Sequence, residues 1–373
     1  MEYIIHLTDK CNLECKYCYE KKQNKVISFE SIKNIINYEI GKKNPYSVFV
    51  FYGGEPLLKK DLIEKTIDYI NSLKTKTKFY YGITTNGLLM DDKFIDYMKK
   101  NNFVNIAYSI DGIQKAHDLN RKTINNKDSF KIVEENLLKV LKQFEDVTTM
   151  TVVTKNNLAM LDKSVEYLIK IGVKNINILF DYSADWQDSD LKEIKKQINK
   201  VTNIYAREIK NENDINIPII DEKIKSYIND KFNCNDNCKF GNKTINVGTD
   251  GNLYPCMQFV NNNKYIIGNC KDGIDNVKLL KLLSNSAKEN DICKDCSVKK
   301  RCKHTCACKN YKLTNDVNGL SPLTCETERI FIEAADKMAE KLYKENSKLF
   351  IQKYYNKDYN KYKMITNMNK KEN

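Results

Sequence analysis

The sequence lacks any apolar run close to the roughly 20 residues that a membrane-spanning helix needs. It also lacks a glycine- or proline-rich linker and internal repeats. Its first cysteine, Cys11, comes too early for the segment before it to be a secretory signal peptide. The net charge of +13 is spread along the chain and is mixed with Asp and Glu, whereas a nucleic-acid-binding surface would concentrate it. We therefore expect a cytoplasmic protein that binds neither membranes nor nucleic acid, with a solvated Lys-rich surface or one that attracts an acidic peptide.

Cysteine is absent between Cys18 and Cys234, although the chain holds 13 cysteines. Three lie at the N-terminal end and ten lie between Cys234 and Cys325. A reduced cytoplasmic protein does not keep so many thiols unless they are occupied, and disulfide scaffolds are short secreted chains. The distribution predicts metal or cluster ligands at both ends of the chain.

Between the two cysteine groups, strand-like and helix-like segments alternate. Helical patterns fall between the strands, with Ser28 and Ser129 as candidate N-caps, and later helices are expected over 130–144, 158–171 and 188–209. Six strands alternating with helices favour parallel βαβ units and an α/β fold, a partial (β/α)6 barrel of the TIM type that is open on one side. The strands are expected at residues 3–8, 48–52, 79–84, 105–110, 148–153 and 175–180.

The alternation ends near Asn211, where Cys, Asn, Asp and Gly become frequent. We expect a barrel over residues 1–210, a connection over 211–230 and a cysteine-rich iron–sulfur domain over 231–326. Residues 327–373 are expected to form a terminal helix, over 327–348, and a tail that is a frayed helix or disordered.

Cys11, Cys15 and Cys18 directly follow the first strand. Three thiolates within eight residues suit a [4Fe–4S] cluster whose fourth iron has no protein ligand. The alternative is a zinc site, but the segment offers no fourth Cys or His to complete a tetrahedron, and His6 lies within the strand.

The CxxxCxxC spacing, with Tyr17 before its last cysteine, resembles the signature of the radical S-adenosylmethionine (SAM) superfamily. The resemblance continues at successive strand ends: Phe51-Tyr52-Gly53-Gly54-Glu55-Pro56 is similar to the family's GGEP motif, Thr84-Thr85-Asn86-Gly87 to its TNG motif, and Ser109-Ile110-Asp111-Gly112 with Arg121 to its fourth-strand element. Each motif alone is compatible with a simple turn, but four in order are specific.

The resemblance implies that SAM chelates the open iron of this cluster and is cleaved to a radical that abstracts a substrate hydrogen. Glu55 and the carbonyls of Gly53 and Gly54 would receive its amino group, and Ser109 and Arg121 its carboxylate. Glycine would also let the backbone approach the ligand, and Asn86 would contact the ribose or the carboxylate. The full set expected to bind the cofactor is Tyr17, Gly53, Gly54, Glu55, Pro56, Thr85, Asn86, Ser109, Asp111, Arg121 and Val153.

The C-terminal cysteines resemble the SPASM domain of radical SAM enzymes that modify peptides and proteins, and a zinc ribbon is the alternative. The segment from Val247 to Cys256 predicts a hairpin with Asp-Gly at its turn. The resemblance implies two auxiliary [4Fe–4S] clusters, three in all. Cys293, Cys296, Cys302 and Cys325 would hold one, and Cys238, Cys256 and Cys306 would hold the other with Cys234 as fourth ligand.

If Cys234 does not bind, an iron would be open to a substrate thiolate. Cys270 is a second candidate for the fourth ligand, Cys308 is expected to be a spare thiol, and His304 is expected to hydrogen-bond near the ligands rather than bind metal.

The resemblance implies an oxidoreductase acting on a peptide or protein, with flavodoxin or ferredoxin as electron donor. We expect a maturase of ribosomally made peptides that forms a thioether from a substrate Cys. Formylglycine formation, as in anaerobic sulfatase-maturating enzymes, and carbon–carbon crosslinking are the alternatives. In the sulfatase branch an Asp base follows the Cys of the G-x4-C element, but here that position is Met257, so the base would be Asp181 or Asp185.

Many peptide maturases carry a leader-binding domain before the barrel, whereas this chain starts on the first strand. Tyr182 and Trp186 would meet the peptide at the open side, or Trp186 would simply cap the core. A non-enzymatic electron carrier is disfavoured, because it would need neither Glu55 nor Arg121.

Overall fold

The structure is a computed structural model, and it describes residues 1–231, 240–241, 243–286, 290–303 and 306–356. Over these residues no helix is both long and apolar enough to cross a membrane. Ten strands form one sheet in the order β10-β9-β8-β7-β1-β2-β3-β4-β5-β6. The strands are β1 (Glu2–Thr8), β2 (Tyr46–Gly53), β3 (Lys78–Thr85), β4 (Phe103–Ser109), β5 (Val147–Val153), β6 (Asn175–Phe180), β7 (Thr244–Val247), β8 (Asn252–Tyr254), β9 (Gly268–Asn269) and β10 (Gly273–Ile274).

Strands β1 to β6 are parallel, and each pairs with the next along the chain. Among the described residues β6 does not pair with β1, so the predicted open, six-stranded partial barrel is confirmed. All six strand positions agree with the sequence prediction to within two residues. The strands are recognisable because parallel strands are buried on both faces and therefore carry continuous apolar runs.

The helices lie between and after the strands. Their bounds are α1 (Phe29–Gly41), α2 (Lys60–Ser72), α3 (Asp92–Lys100), α4 (Gln114–Asp118), α5 (Phe130–Gln143), α6 (Leu161–Lys170), α7 (Asp188–Lys210), α8 (Pro218–Ile228), α9 (Asn276–Ser286), α10 (Ala307–Thr314), α11 (Pro322–Lys344) and α12 (Lys348–Tyr355).

The two predicted N-caps have different outcomes. The Ser28 side chain accepts a hydrogen bond from Ser31 N at 3.0 Å, as an N-cap does. Ser129 occupies the predicted N-cap position of α5, but its side chain makes no capping hydrogen bond. Its hydroxyl donates instead to the carbonyl oxygen of Arg121 at 2.6 Å, which ties the start of α5 to a residue expected in the site.

The C-terminal region continues the same sheet. Strand β7 pairs in parallel with β1 on the side opposite β2, and β8 returns antiparallel to it. The predicted hairpin is confirmed, with Gly251 at φ 76° in its turn. Because β8 runs antiparallel to β7, Tyr254 pairs with Asn246, which lies beside Ile4 of β1, and Cys256 follows two residues later.

Residues 211–230 contain α8, which packs against α11 together with α7. Helix α11 begins at Pro322, five residues before the expected start, and places Cys325 inside its first turns. Proline at the first helical position favours that start. Beyond it, α12 buries Phe350 completely, and residues 357–373 lie outside the described residues.

Candidate functional site

The loop that carries Cys11, Cys15 and Cys18 leaves the carboxyl end of β1. It is held by the segment after α4, since the Glu14 and Lys16 amides donate to carbonyl oxygens of residues 122 and 120 at 2.7 and 3.0 Å. The Cys18 side chain is exposed, whereas Cys11 and Cys15 are partly buried. Burial, with smaller contributions from neighbouring Glu55, Cys15 and Cys18, raises the pKa of Cys11 to about 12. A metal ion would therefore be needed to hold Cys11 as a thiolate.

Gly53 and Gly54 allow the end of β2 to touch the segment after β1. A Cβ on Gly53 would lie 2.4 Å from Thr8 O, and one on Gly54 would lie 2.2 Å from Lys10 O. The Gly54 amide donates to Thr8 O at 2.7 Å. The sequence analysis predicted that these glycines let the ligand approach the backbone. In the structure they let the end of β2 approach the segment after β1, which ends one residue before Cys11.

Replacing Gly54 with alanine is therefore expected to displace the segment that leads into Cys11. Iron bound at the N-terminal loop should fall by more than half, because the clash is with backbone that cannot rotate away. Iron and sulfide analysis of the reconstituted protein checks this. Gly41→Ala is the matched control, since nothing lies within 4 Å of its added Cβ. Equal iron in both variants would contradict the assignment.

The Glu55 side chain is completely buried and joins the ends of β2 and β3. One carboxylate oxygen accepts from Thr85 Oγ1 at 2.7 Å and from Leu57 N at 3.0 Å, and the other accepts from Asn86 N at 2.8 Å. Burial raises its pKa to about 7. A carboxylate has about four acceptor positions, so one remains on the second oxygen for the amino group of a ligand.

Asn86 is turned toward the cysteine loop. Its Nδ2 donates to Asn12 Oδ1 at 2.8 Å and lies 3.7 Å from Cys11 Sγ. Its Oδ1 accepts from Leu88 N at 3.1 Å. The residue expected to contact the ribose or carboxylate of the ligand therefore also orients the first cysteine.

Asp111, Arg121 and Tyr17 form a buried group at the carboxyl end of β4. Asp111 Oδ1 accepts from Arg121 Nε at 3.0 Å and from Val152 N at 2.9 Å, and Oδ2 accepts from the Tyr17 hydroxyl at 2.9 Å. The guanidinium lies 5.3 Å from the centre of the Tyr17 ring. Burial lowers the pKa of Arg121, but Asp111 more than offsets this and keeps it raised. Asp111 therefore holds the charge of Arg121 in place.

The remaining expected residues of the barrel divide by position. Ser109 ends β4 and is half-buried, Pro56 begins the turn after Glu55, and Val153 is a buried core side chain at the end of β5.

Asp181 Oδ1 accepts hydrogen bonds from the amide and the hydroxyl of Ser183. Asp181 O accepts from Trp186 Nε1 at 2.7 Å, and the indole packs on Phe180 at 5.9 Å between ring centres. The Trp186 indole therefore packs against the core while part of it stays exposed, and its contact with a peptide remains a prediction.

Tyr19 and Tyr52 lie between the two cysteine regions and were missed in the sequence. Their hydroxyls are 2.6 Å apart, and burial raises the pKa of Tyr52, with smaller contributions from Glu20, Cys18 and Cys256. Lys312 lies 5.7 Å from the centre of the Tyr19 ring. The signal was available, because Tyr19 follows Cys18 and Tyr52 directly precedes Gly53-Gly54.

Glu20 and His6 form a second buried pair beneath these tyrosines. His6 Nδ1 is 3.8 Å from Glu20 Oε1, and neither atom has a hydrogen-bond partner among the described residues. Burial lowers the pKa of His6 to about 3, so the ring is neutral. Burial and the nearby Asp9 raise the pKa of Glu20 from 4.5 to about 7.

The raised pKa of Glu20 predicts a pH effect on stability. Between pH 4.5 and about 7 the folded chain binds a proton at Glu20 that the unfolded chain has released, so the free energy of unfolding falls as pH rises. Glu20→Gln should remove this pH dependence. Above pH 7 the free energy of unfolding of the variant should exceed that of the wild type by up to about 3 kcal/mol. Denaturant unfolding from pH 4.5 to 8 measures it. A difference between the two proteins that does not change with pH would contradict the shift.

The C-terminal cysteines divide into two neighbourhoods. Cys293 and Cys296 share one turn, through a hydrogen bond from Cys296 N to Cys293 O at 3.2 Å. Burial and the nearby Cys296 raise the pKa of Cys325, so α11 brings this residue to that turn. In the other neighbourhood Cys256 follows β8, and Cys306 precedes α10. Cys234, Cys238 and His304 lie outside the described residues, so their expected roles remain predictions.

Cys270 is not part of either neighbourhood. It is 3% exposed within the main hydrophobic core, and its amide donates to Gly251 O at 2.8 Å. The cluster around Cys256 is a separate one. The structure therefore argues against Cys270 as a cluster ligand.

A buried ion pair supports Cys302 and Cys306. Lys223 Nζ donates to Glu328 Oε2 at 2.6 Å, with 2% and 5% of the two side chains exposed. The amide of Lys303 donates to the same oxygen at 2.8 Å. Lys309 Nζ lies 3.9 Å from Glu328 Oε1 and 5.2 Å from the centre of the Tyr182 ring. Tyr182, expected to meet a peptide, thus also joins the end of β6 to the cysteine-rich region.

The donor chemistry fits the expected groups. Three thiols, a buried carboxylate and a buried guanidinium meet at the carboxyl ends of β1, β2 and β4. Among the described residues no three His, Cys, Asp or Glu side chains converge as they would on a single metal ion. A cuboidal cluster binds each thiolate through a separate iron, so its ligands lie further apart than those of a single metal ion.

Comparison with known proteins gives matches over both halves of the chain. Residues 5–168 match the model of the radical SAM superfamily. An uncharacterised protein of Methanocaldococcus jannaschii, MJ0907, is 37% identical over 176 residues, 47% of this chain and 60% of its own length. A cysteine-type anaerobic sulfatase-maturating enzyme of Clostridium novyi is 25% identical over 87% of this chain and 92% of its own.

A solved structure has the same fold over most of the chain. Native anSMEcpe with bound AdoMet and the Cp18Cys peptide superposes with a TM-score of 0.79 at 23% identity, covering 92% of this chain and 99% of that one. At this identity the likeness establishes the fold, including the C-terminal region beyond β6.

Proposed function

We propose that this chain, whose residues 5–168 match the model of the radical SAM superfamily, is a radical SAM maturase that oxidises a cysteine-containing peptide and closes a thioether from that cysteine. The single observation that carries the choice of product is the chemistry around Cys256. The next residue, Met257, cannot accept a proton, and Asp181 is committed to the turn at Ser183.

The proposal assigns the cofactors to the residues described above. Cys11, Cys15 and Cys18 would hold one [4Fe–4S] cluster, and the C-terminal cysteines would hold two more. SAM bound beside the first cluster supplies, on reductive cleavage, a 5′-deoxyadenosyl radical that removes one substrate hydrogen. Glu55 and Arg121 would orient the amino and carboxylate groups of SAM, with Asp111 and Tyr17 fixing the guanidinium.

A thioether closure balances without a protein base at position 257. One S–H and one C–H bond break and one C–S bond forms, so the peptide loses two hydrogens. One would leave as a hydrogen atom to the deoxyadenosyl group. The other would leave as a proton to water, and its electron would pass to an auxiliary cluster held by the C-terminal cysteines. Tyr19 and Tyr52, between Cys18 and Cys256, would border the volume in which the peptide lies.

Formylglycine formation is the second candidate. It is favoured by the likeness to the cysteine-type sulfatase-maturating enzyme over 87% of this chain. It would require another proton acceptor in place of an Asp at position 257. Carbon–carbon crosslinking is a further outcome of the same radical chemistry. We propose cytoplasmic location and flavodoxin or ferredoxin as the electron donor.

The test is an anaerobic reaction with reconstituted enzyme, SAM, a reductant and a Cys-containing peptide encoded beside its gene. Mass spectrometry before and after thiol alkylation should show the loss of two hydrogens and a cysteine that no longer alkylates. A sulfatase-derived Cys peptide is offered in parallel. If only that peptide reacts and gains an aldehyde that a hydrazide traps, the second candidate replaces the first.

A further inference from the structure

A groove of about 690 Å³ lies in the seam between α7 and α11. The two helices pack against each other, and the residues that line the groove recur every three or four positions, over 199–211 and over 334–341. This spacing places them on one face of each helix. Ala334 and Met338 are buried and Ala206 is half-buried, so these three side chains form the base of the groove.

Every charged side chain that lines this groove is a cation. Among the described residues the lining contains no Asp or Glu, and it contains Arg207, Lys210, Lys337 and Lys341. The chain as a whole carries a net charge of +13. A cleft lined by charges of one sign attracts a partner of the opposite sign, so the groove favours an anionic ligand.

Three of the four cations already pair with carboxylates that lie outside the lining. The pairs are Arg207 with Glu166 and Glu208, Lys210 with Glu345, and Lys337 with Glu333. The three cationic side chains are 40–73% exposed, and such exposed pairs add little to stability, so a carboxylate of a ligand can replace them at small cost. Lys341 is exposed and has no ion pair in the part of the chain that the structure describes.

We propose that this groove binds an acidic segment of the peptide substrate, at a distance from the cysteine that is modified. The inference rests on the proposed function, because it requires an enzyme that acts on a peptide. Carboxylates of the segment would pair with Lys341 and its neighbouring cations. The exposed amides of Asn199 and Asn203, which also line the groove, can both donate to and accept from a peptide main chain.

The position of the groove favours a peptide over an electron-donor protein. A donor must approach a cluster closely, but residues 334–341 lie roughly 14–24 Å along α11 from Cys325, the proposed cluster ligand on that helix. The lining residues of α7 lie roughly 16–35 Å from the start of that helix, which follows the carboxyl end of β6. About ten extended residues cover this distance, so one peptide can occupy both the groove and the candidate active site.

A simpler explanation is that the groove is a solvated seam between two helices of a Lys-rich protein. In that case an acidic peptide would bind equally weakly to every lysine-bearing surface. Changing one lysine in the groove would then have the same effect as changing a lysine elsewhere.

The first experiment measures binding of a fluorescein-labelled peptide of alternating Glu and Ala to the full-length reconstituted protein, by fluorescence anisotropy. Lys341→Glu should raise the Kd about tenfold, because a repulsion replaces an attraction. Lys131→Glu, on an exposed position of α5, makes the same change of charge elsewhere and should leave the Kd within about twofold of wild type. Equal Kd values for the two variants overturn the proposal.

A neutral variant tests the shape of the groove separately from its charge. Ala206→Phe places a large side chain at the base and should weaken the same peptide without changing any charge, whereas wild-type binding places the peptide elsewhere and overturns the proposal. Flavodoxin is the other occupant to test. If Lys341→Glu slows the reduction of the clusters by flavodoxin but leaves peptide binding unchanged, the groove binds the donor and the proposal is wrong.

The last experiment joins the acidic segment to the Cys-containing peptide through a Gly/Ser linker. With a linker of about ten residues the fused peptide should have a KM at least about tenfold lower than the unfused peptide, whereas a linker of about two residues cannot reach and should give no gain. Lys341→Glu should remove the advantage of the long linker. Equal KM values for both linkers in the wild-type enzyme overturn the proposal. Absence of turnover would count against the proposed function, and the anisotropy measurement would still decide whether the groove binds the acidic peptide.

Discussion

Replacing Asp111 with asparagine is expected to lower the free energy of unfolding by about 3–5 kcal/mol, the usual cost of removing one partner of a buried ion pair. Asparagine preserves the shape and one acceptor oxygen, but it leaves the Arg121 guanidinium, 6% exposed, without a counter-charge. Chemical denaturation measures the loss. If about 3 kcal/mol of this loss affects the SAM site, the rate of SAM cleavage should fall about 100-fold. The iron content should be retained because no thiol has changed.

The matched control is Asp128→Asn, in the loop that follows Arg121. Asp128 pairs with Lys122 at the surface, where 58% and 29% of the two side chains are exposed. Such pairs contribute about 0–1 kcal/mol, so this variant should unfold almost as wild type does. The double variant Asp111→Asn with Arg121→Met should recover part of the stability but none of the SAM cleavage. Equal unfolding midpoints for Asp111→Asn and Asp128→Asn would show that the pair does not hold Arg121.

The parts of the fold that the sequence predicted are those governed by local pattern. The six barrel strands are apolar runs between helices, and β1 has six consecutive buried residues. Cysteine spacing and the GGEP-like segment also concern neighbours in the chain. Local pattern was therefore enough to place Glu55 and Asn86 at strand ends. The turn at Gly251 was predictable for the same reason.

Pairings between distant segments were not predictable from spacing. Nothing in the local sequence indicates that Gly54 is required by Lys10 O, or that the Tyr19 hydroxyl meets the Tyr52 hydroxyl. The pairing of β7 with β1, which attaches the C-terminal region to the barrel sheet, joins segments more than 200 residues apart. Helix α11 was predicted to begin too late because Cys325 was assigned to the cysteine-rich domain ending at residue 326, whereas Pro322 begins the helix.

The buried pair of Lys223 and Glu328 carries the second large prediction. Lys223→Met is expected to destabilise the protein by about 3–5 kcal/mol, because methionine fills the volume but leaves the Glu328 carboxylate short of its main counter-charge. Burial alone would raise the pKa of Glu328, yet Lys223 and Lys309 hold it below its ordinary value. Without Lys223 this carboxylate takes up a proton more readily or repels the nearby thiolates.

The same substitution should also affect the proposed auxiliary clusters, because Glu328 Oε2 accepts from the amide that directly follows Cys302. Iron bound by the C-terminal cysteines should fall, while the N-terminal loop keeps its share. Lys195→Met is the matched control, since Lys195 pairs with Glu333 of the same helix α11 at 2.9 Å but with about half of each side chain exposed. It should cost no more than about 1 kcal/mol and no iron. If Lys195→Met and Lys223→Met lose stability and iron alike, the C-terminal region is held by α11 packing and not by the buried charge.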